Sequence, residues 1–216
     1  MQIAEIELLS QDLTRARSFY HEVMGLPVVS FEKHKISFRA GASLLSFCAT
    51  AKEVPPYHLA FNIPPDQIEE ALVWARPRLH LLPVKEGEYI ADFKHWNSKA
   101  LYFFDADGNI VELIARGDWG IPTGERFTAR SILCISEMGM VTDDVETKAR
   151  QLSRQFSIPY FSRQAPSPEF TVLGDDNGLL ILVPTGRNWY PTQIAASRGE
   201  AKVLVQIDGT LTTLIM

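Results

Sequence analysis

Two stretches of the chain are decisive: Tyr57-His58-Leu59-Ala60-Phe61-Asn62-Ile63, and Asp105-Ala106-Asp107-Gly108-Asn109-Ile110-Val111-Glu112-Leu113. In the first, Leu59, Phe61 and Ile63 alternate with His58, Ala60 and Asn62, the period of a strand with one face on a core. In the second, Asp107-Gly108-Asn109 is a hairpin signal between strands Lys99–Phe104 and Ile110–Ala115. Between the two lies a helix opening at Pro65-Asp66, with Asp66 and Glu69 spaced as a capping box and Ile68, Ala71, Leu72 and Ala75 on one side. A further strand is expected at Leu81–Lys85. The polar stretch Glu86 to Ser98 reads as a lid or site-lining loop. His58 in the first strand and Glu112 in the last can meet within one sheet. Glu112 faces the same side as Ile110 and Ile114, where a lone carboxylate is costly unless paired or metal-bound. A metal site is therefore the leading functional idea.

The same order of elements recurs on either side of this block. Ile3-Ala4-Glu5-Ile6-Glu7-Leu8-Leu9 puts Ile6 and Leu8 on one face and Glu5 and Glu7 on the other. A helix from about Asp12 carries Leu13, Ala16, Phe19, Tyr20, Val23 and Met24 at helical spacing and stops near Gly25. Strands at Pro27–Phe31, Lys35–Arg39 and Ser43–Ala49 complete the first block. After residues 117–130, a linker without clear period, Ser131–Val141 opens a third block. Its helix starts at about Asp143, with Glu146 completing a capping box, and strands follow near Phe170–Leu173 and Leu179–Val183. One more strand, Lys202–Asp208, reads as the start of an incomplete fourth block. The expected organisation is residues 1–116 as blocks one and two paired into a cup, the linker 117–130, and residues 131–216 as the remainder.

The chain has 216 residues, 46% of them hydrophobic and 22% charged, a composition ordinary for a soluble globular protein. A net charge of −5 argues against a nucleic-acid surface, where a basic patch is expected. No apolar run approaches a membrane span and no signal-peptide pattern opens the chain, so a cytoplasmic setting is expected. Cys48 and Cys134 lie in apolar strand-like runs and read as buried, reduced thiols.

Repeated β-α-β-β-β blocks with these turns resemble the vicinal oxygen chelate superfamily, which includes glyoxalase I, fosfomycin-resistance enzymes, bleomycin-binding proteins and type I extradiol dioxygenases. The likeness is carried by Ser10-Gln11-Asp12-Leu13 through Phe19-Tyr20 to Gly25-Leu26, and by Tyr102-Phe103-Phe104-Asp105-Ala106-Asp107-Gly108-Asn109 through Glu112-Leu113. It implies an α+β fold of tandem βαβββ modules forming cupped mixed sheets with helices outside. It also implies a divalent cation held by first and last strands, with Glu5, His58 and Glu112 as the ligand set. One imidazole and two carboxylates differ from the two-histidine set of ferrous oxygenases and suit manganese, magnesium, zinc or nickel as well as iron. Glu5 has an alternative reading, as one of two acids, with Glu7, lining a solvated cup.

By likeness to extradiol members, Tyr102 would hydrogen-bond substrate and His95 would act in acid–base chemistry. The spacing of His95 departs from the family pattern, and a surface-loop histidine beside a packing Trp96 is its plain reading. His21, His34 and His80 carry no role. In block three the first-strand metal position falls on Ser136, with Met138 and Met140 on the same face, while Glu137 is expected to point towards its own helix. The segment Arg187-Asn188-Trp189-Tyr190 is aromatic and cationic enough to touch an anionic ligand, or serves as a cap on the third block's sheet. The expected function is a divalent-metal enzyme acting on a small molecule with vicinal oxygens. The alternative is a metal-free small-molecule binder of the bleomycin-resistance type. An uncovered sheet edge in the unfinished block suggests a homodimer.

Overall fold

The computed structural model describes all residues, Met1 to Met216. The first block is β1 (Gln2–Ser10), α1 (Leu13–Arg17), a π-helical turn over Ser18–Val23, then β2 (Val28–Phe31), β3 (Lys35–Ala40) and β4 (Ser43–Ala49). The second is β5 (His58–Ile63), α2 (Ile68–Ala75), β6 (His80–Leu82), β7 (Ala91–Phe93), β8 (Ser98–Phe104) and β9 (Ile110–Arg116). The third is β10 (Cys134–Thr142), α3 (Val145–Phe156), β11 (Thr171–Asp175) and β12 (Gly178–Pro184), followed by the hairpin β13 (Ala201–Ile207) and β14 (Thr210–Ile215). This is the expected α+β plan. The strand that would follow α3 is reduced to a single bridge, Tyr160 to Leu173.

The pairing of blocks differs from expectation. Blocks one and two do not share a cup. The first strand of block two, β5, runs antiparallel to β10 of block three, while β1 runs antiparallel to β13. One bridge, Ile3 to Ile135, joins the two halves. Each half therefore pairs first strand with first strand, inner with inner and outer with outer. Sequence periodicity reports which face of a strand is apolar and is silent on which neighbour it takes. The fourth unit also has a second strand. Asp208 and Gly209 both adopt positive φ in the tight turn between β13 and β14, as a two-residue hairpin requires.

Two helices are capped differently from the sequence expectation. Asp66 does not cap α2. It accepts instead from the backbone N–H groups of Thr123 and Gly124, tying down the linker. The cap of α3 is Asp144, which accepts from the N–H of Thr147, one residue beyond the expected start.

The main core holds Ile3, Ile6 and Leu8 of β1, Leu59, Phe61 and Ile63 of β5, and Met138 and Met140 of β10, packed beneath the helices. A smaller apolar cluster lies on the opposite face of blocks two and three and includes Ala60, Tyr102, Ile114, Ile181 and Trp189. The alternation along β5 thus sends one set of side chains to the helices and the other into a cup.

Blocks one and two remain in contact through a polar bond. The Tyr20 hydroxyl donates to Asp105 Oδ2 at 2.7 Å in a buried setting. The second carboxylate oxygen accepts from the backbone N–H groups of Asp107 and Asn109. Tyr20→Phe is expected to lower stability by about 1.5 kcal/mol, because it leaves the buried Oδ2 with the Asn109 side-chain amide as its remaining donor. Urea unfolding of the two proteins measures the difference, and equal midpoints would refute it.

Candidate metal centre

His58 starts β5 on its cup face, and its ring is oriented from behind. Nδ1 lies 3.2 Å from the carbonyl of Ile110 on the neighbouring strand, so the proton belongs on Nδ1. Nε2 is left as a lone-pair donor facing Glu112, whose Oε2 is 3.6 Å away. Burial lowers the His58 pKa to about 4, opposed by the Ile110 carbonyl and reinforced by the charge of Arg187. At neutral pH the ring is uncharged and ready to coordinate. Gly139 leaves the space above it: a Cβ there would lie 2.6 Å from the Trp189 ring and 3.2 Å from the Cβ of His58. The indole consequently lies over the imidazole, with ring centroids 5.2 Å apart.

Glu112 projects from the middle of β9, opposite Tyr102 on β8. Its pKa is raised well above the usual carboxylate range, by burial first and then by the charge of Glu137. Glu137 is the third member. One ligand atom from each of His58, Glu112 and Glu137 lies within 4.8 Å of the others, and all three residues are buried.

Sequence periodicity alone points Glu137 towards the helix. A β-bulge between Ile135 and Glu137 shifts the register against β5. Residues beyond the bulge exchange faces, so Met138 and Met140 enter the core and Glu137 enters the cup. Ser136 accepts from the fully buried Arg116. The one signal for this in the sequence is the carboxylate itself, which is too costly to bury unpaired against the helices.

Glu5 is not part of the cluster. In β1 it holds the place of His58 in β5, and Ser46 in β4 holds that of Glu112 in β9, as the parallel pairings of the two blocks show. There, however, Lys35 Nζ sits 3.0 Å from Glu5 and 2.7 Å from Glu7, and Ser46 donates to Glu5 at 2.6 Å. An ammonium group already supplies the positive charge, which is the physical reason Glu5 has no need of a metal. The solvated-cup reading of Glu5 and Glu7 comes nearer, with Lys35 and Lys202 added to the acids.

His95 is exposed, in the 3-10 turn Lys94–Trp96, and does not line the cup. Its neighbour Trp96 does, with Tyr102. The Tyr102 pKa is raised well above 10 by burial and then by Glu112, which keeps the phenol protonated.

Behind the cluster stands an arginine at the end of β9 for which the sequence pattern suggests no role. Arg116 donates to Glu137 and Ser136. Its Nη1 is 3.5 Å from Asp176, which with Asp118 pairs Arg163. This chain of alternating charge fixes Glu137 from the side away from the cup. Burial still raises the Glu137 pKa, with Arg116 opposing.

The donor set fits a divalent cation. It offers one neutral imidazole nitrogen and two carboxylates. Outer partners brace His58 and Glu137, and the cluster opens into a cavity of 280 Å³. Three protein ligands leave positions for substrate and water. Two buried carboxylates side by side are unfavourable when both are ionised, and a cation reverses that.

The metal-free state gives a test. A carboxyl whose folded pKa is raised stabilises the fold below its unfolded pKa of about 4.5, and loses that contribution as the pH rises through the folded value. Glu112→Gln should therefore stabilise chelator-treated protein by about 2 kcal/mol at pH 7, with the gain fading near pH 4. Urea titrations at both pH values measure it. A destabilised variant at pH 7 would show that Glu112 is better satisfied than its surroundings imply.

No family model matches the sequence, and no curated protein matches it either. Solved structures do. A presumptive dioxygenase from Bacillus subtilis superposes with a TM-score of 0.65 at 16% identity, over 96% of this chain and 71% of that one. A glyoxalase I mutant from Zea mays gives 0.58 at 14% identity, over 90% and 72%. The chain has the fold of the vicinal oxygen chelate proteins, as the turn and strand signatures led us to expect. At these identities the likeness is one of architecture. No helix is long and apolar enough to cross a membrane.

Proposed function

We propose that the protein is a divalent-metal-dependent enzyme acting on a small organic molecule with adjacent oxygens, at the cup between blocks two and three. The observation carrying this is the convergence of His58, Glu112 and Glu137 within 4.8 Å at a cavity otherwise lined mainly by aromatic side chains. Iron, manganese, zinc, nickel and magnesium all suit such a mixed nitrogen and oxygen set. Bound there, the cation would polarise substrate oxygens as a Lewis acid. The chain's own groups do the rest. Neutral His58 and the two carboxylates present their lone pairs, with the Ile110 carbonyl and Arg116 holding two of them in place. Tyr102, kept protonated, donates a hydrogen bond to a substrate oxygen. Trp96, Phe93 and Trp189 exclude water. Exposure of His95 leaves it no part in this reading.

The bond from Arg116 to Glu137 favours a second reading. A guanidinium already neutralises one carboxylate, as a metal-free binding protein would require. Metal analysis after loading with each cation and desalting separates the two. About one equivalent per chain supports the enzyme reading, and none with any cation supports the binder.

A further inference from the structure

Besides the cluster, the cavity holds one other charged group, Arg187. It follows β12, in the segment leading to Trp189 and Tyr190. It is half-buried, and no carboxylate lies within ion-pairing distance of it. Its one hydrogen bond goes to the carbonyl of Asn188 at 3.3 Å, and its guanidinium lies 4.9 Å from the centroid of the Phe170 ring. Partial burial of a guanidinium without a counter-ion in contact is unfavourable, and the more distant charge of Glu169 offsets the effect of burial only in part. Its planar fork matches a carboxylate with two parallel hydrogen bonds.

The surroundings specify the rest of the ligand. Trp96 and Phe170 pack at 6.3 Å and 37° between planes. Tyr190 meets Phe93 edge-on at 5.8 Å and Tyr102 edge-on at 5.5 Å. These walls offer faces and edges to a planar ring. A volume of 280 Å³ is at the small end for ligand pockets and suits a single ring with short substituents. Charge points the same way. With a divalent cation in place the two carboxylates are offset, the positive charge of Arg116 is met by Asp176 behind the cluster, and Arg187 leaves the cup with surplus positive charge.

We infer that the ligand of this cup is an aromatic acid, whose ring lies among Trp96, Phe170 and Tyr190 and whose carboxylate pairs with Arg187. The inference rests on the proposed function for its adjacent oxygens and on Arg187 and the aromatic walls for its ring and acid group.

The two parts are separable by experiment. Binding is followed by quenching of tryptophan fluorescence or by calorimetry, using protocatechuate (a catechol bearing a carboxylate), catechol, benzoate and benzamide. Metal-loaded protein should bind protocatechuate about tenfold or more tighter than catechol, the scale of one charge-assisted hydrogen bond. Arg187→Gln should abolish that margin while catechol binding holds, and Arg187→Lys should keep part of it. In chelator-treated His58→Ala the preference for benzoate over benzamide should persist, although any advantage from adjacent hydroxyls is lost. Equal binding of benzoate and benzamide, or a carboxylate margin that survives Arg187→Gln, overturns the aromatic-acid inference. Failure to bind metal with the Arg187-dependent margin intact overturns the enzyme reading alone.

Discussion

His58→Ala is expected to lower divalent-metal affinity by more than about 100-fold, so that protein loaded and desalted retains well under one equivalent. Loss of an outer-shell partner already costs 10- to 100-fold at such sites, and His58 would be a direct ligand. It is the sole nitrogen donor of the cluster, so its loss leaves two carboxylates, one of them engaged by Arg116. The pH dependence has a defined sign. Because burial holds the His58 pKa at about 4, below the unfolded value near 6.5, the neutral ring persists as the pH falls to that lower value. Its contribution to stability is fully present above pH 6.5 and is lost progressively between there and pH 4. Calorimetric metal titration of the variant and the wild type is the measurement. Equal affinities would remove His58 from the coordination sphere and with it the metal reading of the cup.

Arg116→Met should destabilise the metal-free protein by about 3–5 kcal/mol, the range for breaking a buried ion pair from one side. The methionine leaves Glu137 buried beside Glu112 with no guanidinium, and leaves Ser136 without its donor. Two further measurements separate charge from packing. Adding Glu137→Gln to Arg116→Met should recover much of the loss, since the stranded carboxylate is removed. A divalent cation should also recover part of it by supplying the missing positive charge. If neither restores stability in urea unfolding, the role of Arg116 is one of volume, and the ion pair contributes little.

The elements are largely legible in the sequence because each carries a local signal. The alternation along Leu59, Phe61 and Ile63, the helical spacing after Asp12 and the Asp107-Gly108-Asn109 turn each depend on neighbours a few residues away. The pairing of blocks is not legible, since Leu59 and Ile3 would be buried equally well beside either partner. His58 and Glu112 can be matched because they lie on adjacent strands of one block at a fixed register. Glu137 is misplaced by the bulge, where a single extra residue reverses the face of the rest of the strand. The Asp208-Gly209 pair is a hairpin signal in its own right, and it is the cue to a second strand in the fourth unit. Arg116 reads only as the last residue of block two, just before the linker. Its meaning depends on Glu137, Ser136 and Asp176, which are distant in sequence and adjacent only once the sheets have formed.

The ammonium of Lys35, seated between Glu5 and Glu7, has a consequence for the molecule as a whole. The duplicated framework offers two equivalent first-strand positions, Glu5 and His58, and at the first of them a tethered ammonium meets the negative charge. At the other, His58, Glu112 and Glu137 have no such ammonium among them, so on the proposed reading a duplicated scaffold would bind an exchangeable cation at one end of the polypeptide and a built-in one at the other.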